Sequence, residues 1–513
     1  MTGLLIGLLV SQGLFARTFG GTDYDYGYSI AATADGGYIV SGTTWNFGAG
    51  NADCFILRLD SQGVLQWART YGGGDYDYAE DITPTSDGGY AIAGRMASFA
   101  VNYDFILIKT NSVGAFQWAS RFWGGNYEYL YSVTQTTDGG FALAGETTTY
   151  GAGAYDILVV KTDATGAFSW ARTFGGLNYD RVNSEGSITR TADGGVAVTG
   201  CTENFGAGGF DVMAVKLSAA GNVEWVRTLG GPANERGYTI IQTTDAGFAL
   251  TGYTASYGAG SADVLVVKMD SLGRAEWARA IGGDSSDYGY SLVQAPDGGY
   301  VIAGSTNSFG AGGGDFLAVR LSSSGDLEWA RTFGGPSGDG AASITTATDG
   351  GYVLAGRTSS YGQGNGDIMV IKLDANGNYS DCVADCNPTM TAISPDTSSP
   401  SVGASTTTGT SSPTPTVMGP NPSVADACPP LSAEETDATP ERGITCSPVP
   451  GGALFLSPSD TEITIYSADG RVAYLGKLQK GENRIGLETG VYFWVAGVSP
   501  RACPACKGKV AVR

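Results

Sequence analysis

One tripeptide constrains this chain more than any other feature. Asp-Gly-Gly recurs at Asp35, Asp87, Asp138, Asp193, Asp297 and Asp349, with Asp245-Ala246-Gly247 as a near copy. The Asp residues follow one another at offsets of 52, 51, 55, 52, 52 and 52. Each unit holds four short runs of strand character. In the first unit they are residues 28–33, 38–43, 54–59 and 64–70. Residues 34–37 and 60–63 read as hairpin turns in which Gly supplies positive φ. Four antiparallel strands in a repeat of about 50 residues make a propeller blade. Residues 14–381 are therefore read as a seven-bladed β-propeller.

The ends of the array predict closure. A Trp recurs late in the unit at Trp67, Trp118, Trp170, Trp225, Trp277 and Trp329, but the seventh copy lacks it. The missing strand stands at the other end. Residues 14–21 match the W-A-R-T-F-G-G run, with Phe15 in the Trp place. An N-terminal strand that completes the last blade leaves no free edge. The Trp residues are read as packing between blades.

Composition narrows the function classes. With 80 Gly and no capped helical periodicity, the chain reads as all-β. The 50 Asp and Glu against 29 Lys and Arg give a net charge of −21, which repels a phosphate backbone and argues against nucleic acid. There is no His, which removes Ser-His-Asp and Cys-His catalysis. No segment reaches the ~18 apolar residues of a transmembrane span. Residues 1–13 read as a signal-peptide-like segment. Six of the eight cysteines, Cys382, Cys386, Cys428, Cys446, Cys503 and Cys506, follow the repeats, which fits disulfides in an oxidising compartment.

Residues 382–449 form a linker, of which residues 394–416 are nearly all Ser, Thr, Pro and Gly; such a segment cannot bury enough apolar surface to order itself. Strand character returns in residues 450–513, enough for a small β-sandwich. The run Ile463-Thr-Ile-Tyr-Ser-Ala-Asp-Gly-Arg471, then Gly490-Val-Tyr-Phe493, then Gly508-Lys-Val-Ala-Val-Arg513 resembles the type A C-terminal sorting domain of the bacterial type IX secretion system. The repeats are similar to Gly-rich propellers found upstream of such domains. The resemblance implies export through the type IX secretion machinery to the cell exterior or outer surface. The insertion Arg501-Ala-Cys-Pro-Ala-Cys506 departs from the family pattern.

Two acidic sets fall on one propeller face. Asp25, Asp77, Glu128, Asp180, Glu235, Asp287 and Asp339 precede the first strand of each unit. Asp53, Asp104, Asp156, Asp211, Asp263, Asp315 and Asp367 precede the third. Tyr24, Tyr26, Tyr76, Tyr78, Tyr127 and Tyr129 surround the first set. Residues repeated in every blade solve a problem every blade has, and accepting backbone N–H bonds in Gly-rich loops is the favoured reading. The functional reading makes the first set, with its Tyr residues, a binding surface at the channel mouth, with Ca²⁺ the one ion it would take. No catalytic residue, metal ligand or other cofactor is singled out. The expected function is a binding or adhesion module for an extracellular glycan or surface protein. The alternative is a carbohydrate-active hydrolase or lyase using carboxylates and Tyr. That alternative needs a carboxylate pair that breaks the repeat, and Glu185 and Glu203 are its nearest candidates.

Overall fold

The first repeat folds into the strands Asp25–Ala32, Tyr38–Thr44, Asp53–Leu59 and Leu65–Tyr71, hydrogen-bonded in that order. The computed structural model describes residues 13–379 except 49, 99–102, 123–125, 152, 183–185, 207, 311 and 363–364, together with seven strands within residues 445–512. Seven such antiparallel blades stand among the described residues and form an all-β, seven-bladed propeller. The first strand of each blade is innermost. The second and third strands are buried almost throughout, as in Asp53–Leu59, because neighbouring blades cover both their faces. The tight turns demand a left-handed residue: Gly36 has φ 83°, and Ala246 accepts φ 64° in the one unit where the Gly is replaced.

The ring closes as expected. Phe15–Phe19 pairs antiparallel with Asp367–Leu373, Phe15 opposite Lys372. The seams between blades repeat one packing solution. Trp67 lies edge-on to Tyr90 of the next blade, with centroids 6.0 Å apart, and Phe15 takes the same place against Tyr38. The third hairpin of the next blade presents a Gly to each such ring, Gly114 to Trp67 and Gly63 to Phe15, where any Cβ would collide.

A second repeated device lies on the opposite rim, within each blade. Each turn Asp pairs with a Lys or Arg of the third strand, as in Lys161–Asp138 at 2.9 Å and Lys216–Asp193 at 2.9 Å. The cation is buried and the carboxylate faces water. Burial works against the charge on Asp138, but its bonds from Thr136, Lys161 and Gly140 prevail and bring it down to about 2.

Two differences from the sequence reading stand out. The acidic residues expected in loops are the first residues of the innermost and third strands in every blade. The innermost strand of blade four is split into Asp180–Arg181 and Ile188–Arg190 by the extra residues there.

In the C-terminal region, Thr445–Val449, Gly452–Ser457 and Gly481–Gly486 form one sheet. Val472–Leu478, Thr461–Ser467, Gly490–Gly497 and Cys506–Val512 form another, in that order. The signal-peptide-like residues 1–12, the Ser/Thr/Pro-rich tract and the side chains of the six C-terminal cysteines lie outside the described residues. Cys54 and Cys201 are both buried. No helix among the described residues is long and apolar enough to cross a membrane.

Candidate functional site

The two acidic sets meet at the seams. The first Gly of each Gly-Gly pair stands between them: a Cβ on Gly72 would collide with Asp53 and Asp77, and one on Gly282 with Asp263 and Asp287. The second Gly donates its N–H to the first-set acid, Gly73 to Asp77 and Gly283 to Asp287, each at 2.8 Å. Side chains from the loop after the second strand add donors, Asn46 to Asp25 at 2.7 Å and Ser360 to Asp339 at 2.6 Å. Glu128 accepts from Thr147, and Glu235 from Thr254 and Gly231. All seven acids are buried. Burial lifts Asp25 to about 6 and Asp180 to about 7, with the partner carboxylates Asp367 and Asp156 adding to it. The seven are thus distributed one to a seam. Among the described residues no three acidic or Cys side chains gather closely enough to hold a metal ion.

The mouth of the channel is built differently. One residue after each first-set acid, the innermost strand pairs with the second strand. The partners are Tyr26 with Thr43, Tyr78 with Arg95, Tyr129 with Glu146 and Arg181 with Cys201. Onward they are Arg236 with Tyr253, Tyr288 with Ser305 and Gly340 with Arg357. No two blades carry the same pair. Two residues further on, a register shift in six blades leaves Tyr28, Glu80, Tyr131, Tyr238, Tyr290 and Ala342 without a strand partner. Such bulges re-aim a side chain and are frequent beside active sites.

These positions form a connected network in blades one to four. Arg95 lies 3.0 Å from Glu80 and sits over the rings of Tyr78, Tyr103, Tyr129 and Tyr131, 4.7 to 5.9 Å from their centroids. Tyr131 Oη reaches Glu146 at 3.5 Å. Arg181 grips the same carboxylate with two bonds, 2.9 and 2.7 Å. Burial raises Glu80 above the usual carboxylate range against the pull of Arg95. Burial does the same to Glu146 against Arg181. Burial and the charge of Glu146 push Tyr131 upward.

Outside this network runs an arc of aromatic rings. Tyr24, Tyr26, Trp45, Tyr78, Tyr103, Tyr129, Tyr155 and Tyr179 follow one another with centroids 5.2 to 6.4 Å apart. Tyr24, Tyr76, Tyr127 and Tyr179 hold the same place in four successive blades and are 37 to 43% exposed. Of the Tyr residues named from sequence, Tyr24, Tyr26, Tyr78, Tyr127 and Tyr129 join this surface by ring contacts, and Tyr76 lies exposed beside it. Glu203 sits just past Val196–Thr202, its N–H bonded to Tyr179 O, away from the network. Glu185 lies outside the described residues. Glu80, Arg95, Glu146 and Arg181 were not singled out from sequence. Aligning the units for the positions that differ, eight residues after each turn Asp, would have found Arg95 and Glu146.

No family model matches the chain. The regulatory protein FlaEY of Caulobacter vibrioides is 28% identical over 138 residues, 24% of this chain. The chain spans 14% of the length of that relative. Among solved structures, it is similar to PorZ, a surface component of the type IX secretion system of Porphyromonas gingivalis, at 12% identity and a TM-score of 0.39, covering 96% of this chain and 60% of that one. A fungal alcohol oxidase is matched at 9% identity and a TM-score of 0.45, over 97% of this chain and 98% of that one. The α-L-arabinofuranosidase Arb93A of Fusarium graminearum is matched at 9% identity and 0.41, over 70% and 97%.

Proposed function

We propose that the mouth is the active site of a carbohydrate-active hydrolase or lyase. The observation that carries this reading is the Tyr131–Glu146 contact, backed by Arg181 and set beside a second buried carboxylate, Glu80. Neither carboxylate is repeated in other blades, so neither solves a problem of the blade. Tyr131 is the half-buried member that exchanges a proton with the sugar. Glu146, buried and held by Arg181, orients the Tyr131 hydroxyl, whose proton passes to the glycosidic oxygen as the bond to the leaving sugar breaks. Glu80 supplies the second carboxyl that cleavage of a glycosidic bond needs. The exposed tyrosines hold the flanking sugars by stacking, and the seam acids Asp25, Asp77, Glu128, Asp180, Glu235, Asp287 and Asp339 fix the loops that carry them. Incubation with a panel of neutral and acidic polysaccharides, read by new reducing ends and by ultraviolet absorbance of unsaturated products, tests this. Chain shortening is expected, with Tyr131→Phe and Glu146→Gln each lowering the rate by roughly 10²–10⁴-fold. Intact polymers throughout would sink catalysis. The repeated exposed row Tyr24, Tyr76, Tyr127 and Tyr179 supports the second reading, a glycan- or protein-binding surface without chemistry.

We further propose that residues 450–513 are a type IX sorting domain and that the propeller works outside the cell. The order and spacing of the motifs support this. Removal of residues 450–513 should leave the protein in the periplasm of a type IX-competent host, and secretion of the shortened chain into the medium would overturn it.

A further inference from the structure

The mouth is lopsided. Blade seven has Gly340 where Tyr26, Tyr78, Tyr129 and Tyr288 stand in other blades, and Ala342 where Tyr or Glu stands. Gly340 borders Ser305 of blade six so closely that an added Cβ would lie 3.2 Å from Ser305 Cβ. Arg357 stands opposite Gly340 in register, and its side chain turns to blade one. Its guanidinium stacks on Tyr26 and Tyr24, 4.6 and 5.6 Å from the ring centroids. Arg95 and Arg181 each have a carboxylate, whereas Arg357 has no ion pair among the described residues. Its Nε is buried and has no hydrogen-bond partner among them.

Stacking satisfies the face of a guanidinium but not its in-plane donors, whose fork geometry matches the two oxygens of a carboxylate or sulfate. A buried donor left unmet is a cost that a ligand oxygen removes. The overall charge of −21 repels anions from the rest of the surface, so an unpaired Arg held in place by two Tyr rings creates a local exception.

We propose that the stacked Arg357, where blade seven meets blade one, is a subsite for an anionic group, a carboxylate or sulfate ester, carried by a glycan, with Arg357 as its anchor and Tyr24 against the neighbouring sugar ring. This rests on the glycan reading of the mouth and names the ligand class it prefers. The test is affinity electrophoresis of the full chain in polygalacturonate, dextran sulfate, methyl-esterified polygalacturonate and dextran. Tighter retardation by one of the two acidic polymers than by its neutral counterpart is expected, and which one identifies carboxylate or sulfate. Arg357→Gln should weaken that retardation roughly ten- to hundred-fold and leave the neutral polymers unchanged. Tyr24→Ala removes the exposed ring beside Arg357, and it should weaken the same binding if Arg357→Gln unfolds the chain. Equal retardation by acidic and neutral polymers, or acidic binding untouched by both variants, overturns the subsite and leaves the glycan reading standing. Retardation by none of the four overturns both.

Discussion

The seams between blades and the mouth they surround are made from the same strands, yet they obey opposite rules. The framework repeats itself: a Trp or Phe meets an aromatic ring of the next blade at every seam but that of Trp170, which meets Val196, a turn Asp pairs with a buried cation within each blade, and a buried acid holds the Gly-Gly backbone. At the mouth no two blades carry the same cross-strand pair. Repetition marks what the ring needs to exist, and its failure marks where selection acted on something other than the ring. The acids and the tyrosines named together from sequence fall on the two sides of this divide.

The contrast can be broken first at a seam. Deletion of residues 1–20 removes the outermost strand of the last blade and exposes the edge of Asp367–Leu373. Because each seam depends on both neighbours, cooperative melting should be lost and aggregation should appear. A melting curve like that of the intact chain would show that closure contributes nothing.

A smaller effect follows from protons. Burial lifts Asp25 and Asp104 to about 6 and Asp180 to about 7. Such groups take up a proton on folding, so they make the folded state more stable as pH falls from about 7 toward about 4. The opposite rim behaves in reverse. Asp87, Asp138, Asp193 and Asp245 sit at about 2, where bonds from Lys and Thr outweigh burial. Their contribution is complete above about 4 and is lost as pH falls through about 2. Calorimetry from pH 2 to 8 should therefore show a melting maximum near pH 4 to 5, shifted toward neutral pH by Asp180→Asn. A maximum at neutral pH in the unaltered protein would contradict the seam chemistry.

The smallest effect sharpens the divide. Tyr131→Phe removes a hydroxyl that no seam uses and should change stability by no more than about 0.5 kcal/mol while lowering turnover roughly 10²–10⁴-fold. Loss of more than about 2 kcal/mol would assign Tyr131 to the framework instead.

The seams were legible in the sequence because repetition is itself the signal. Blade count, strand order, closure by Phe15 and the packing role of Trp all follow from spacing. The mouth was not legible for the same reason. A reading tuned to what recurs passes over Arg95 and Glu146, which share a position with Thr43 and Cys201. The bulge that turns Glu80 and Tyr131 out of register has no signature in the alternation of apolar residues. It depends on backbone pairing between the first two strands of a blade, which spacing alone does not encode.

Closure also has a consequence in time. Phe15 pairs with Lys372, so this strand leaves the ribosome long before its partner is made. At about 5–20 residues per second, it waits some 20–70 seconds while six complete blades are made behind it. Throughout that interval Phe15 and Phe19, both buried in the finished ring, stand in water on an unpaired strand, a binding site for chaperones that vanishes when the ring closes.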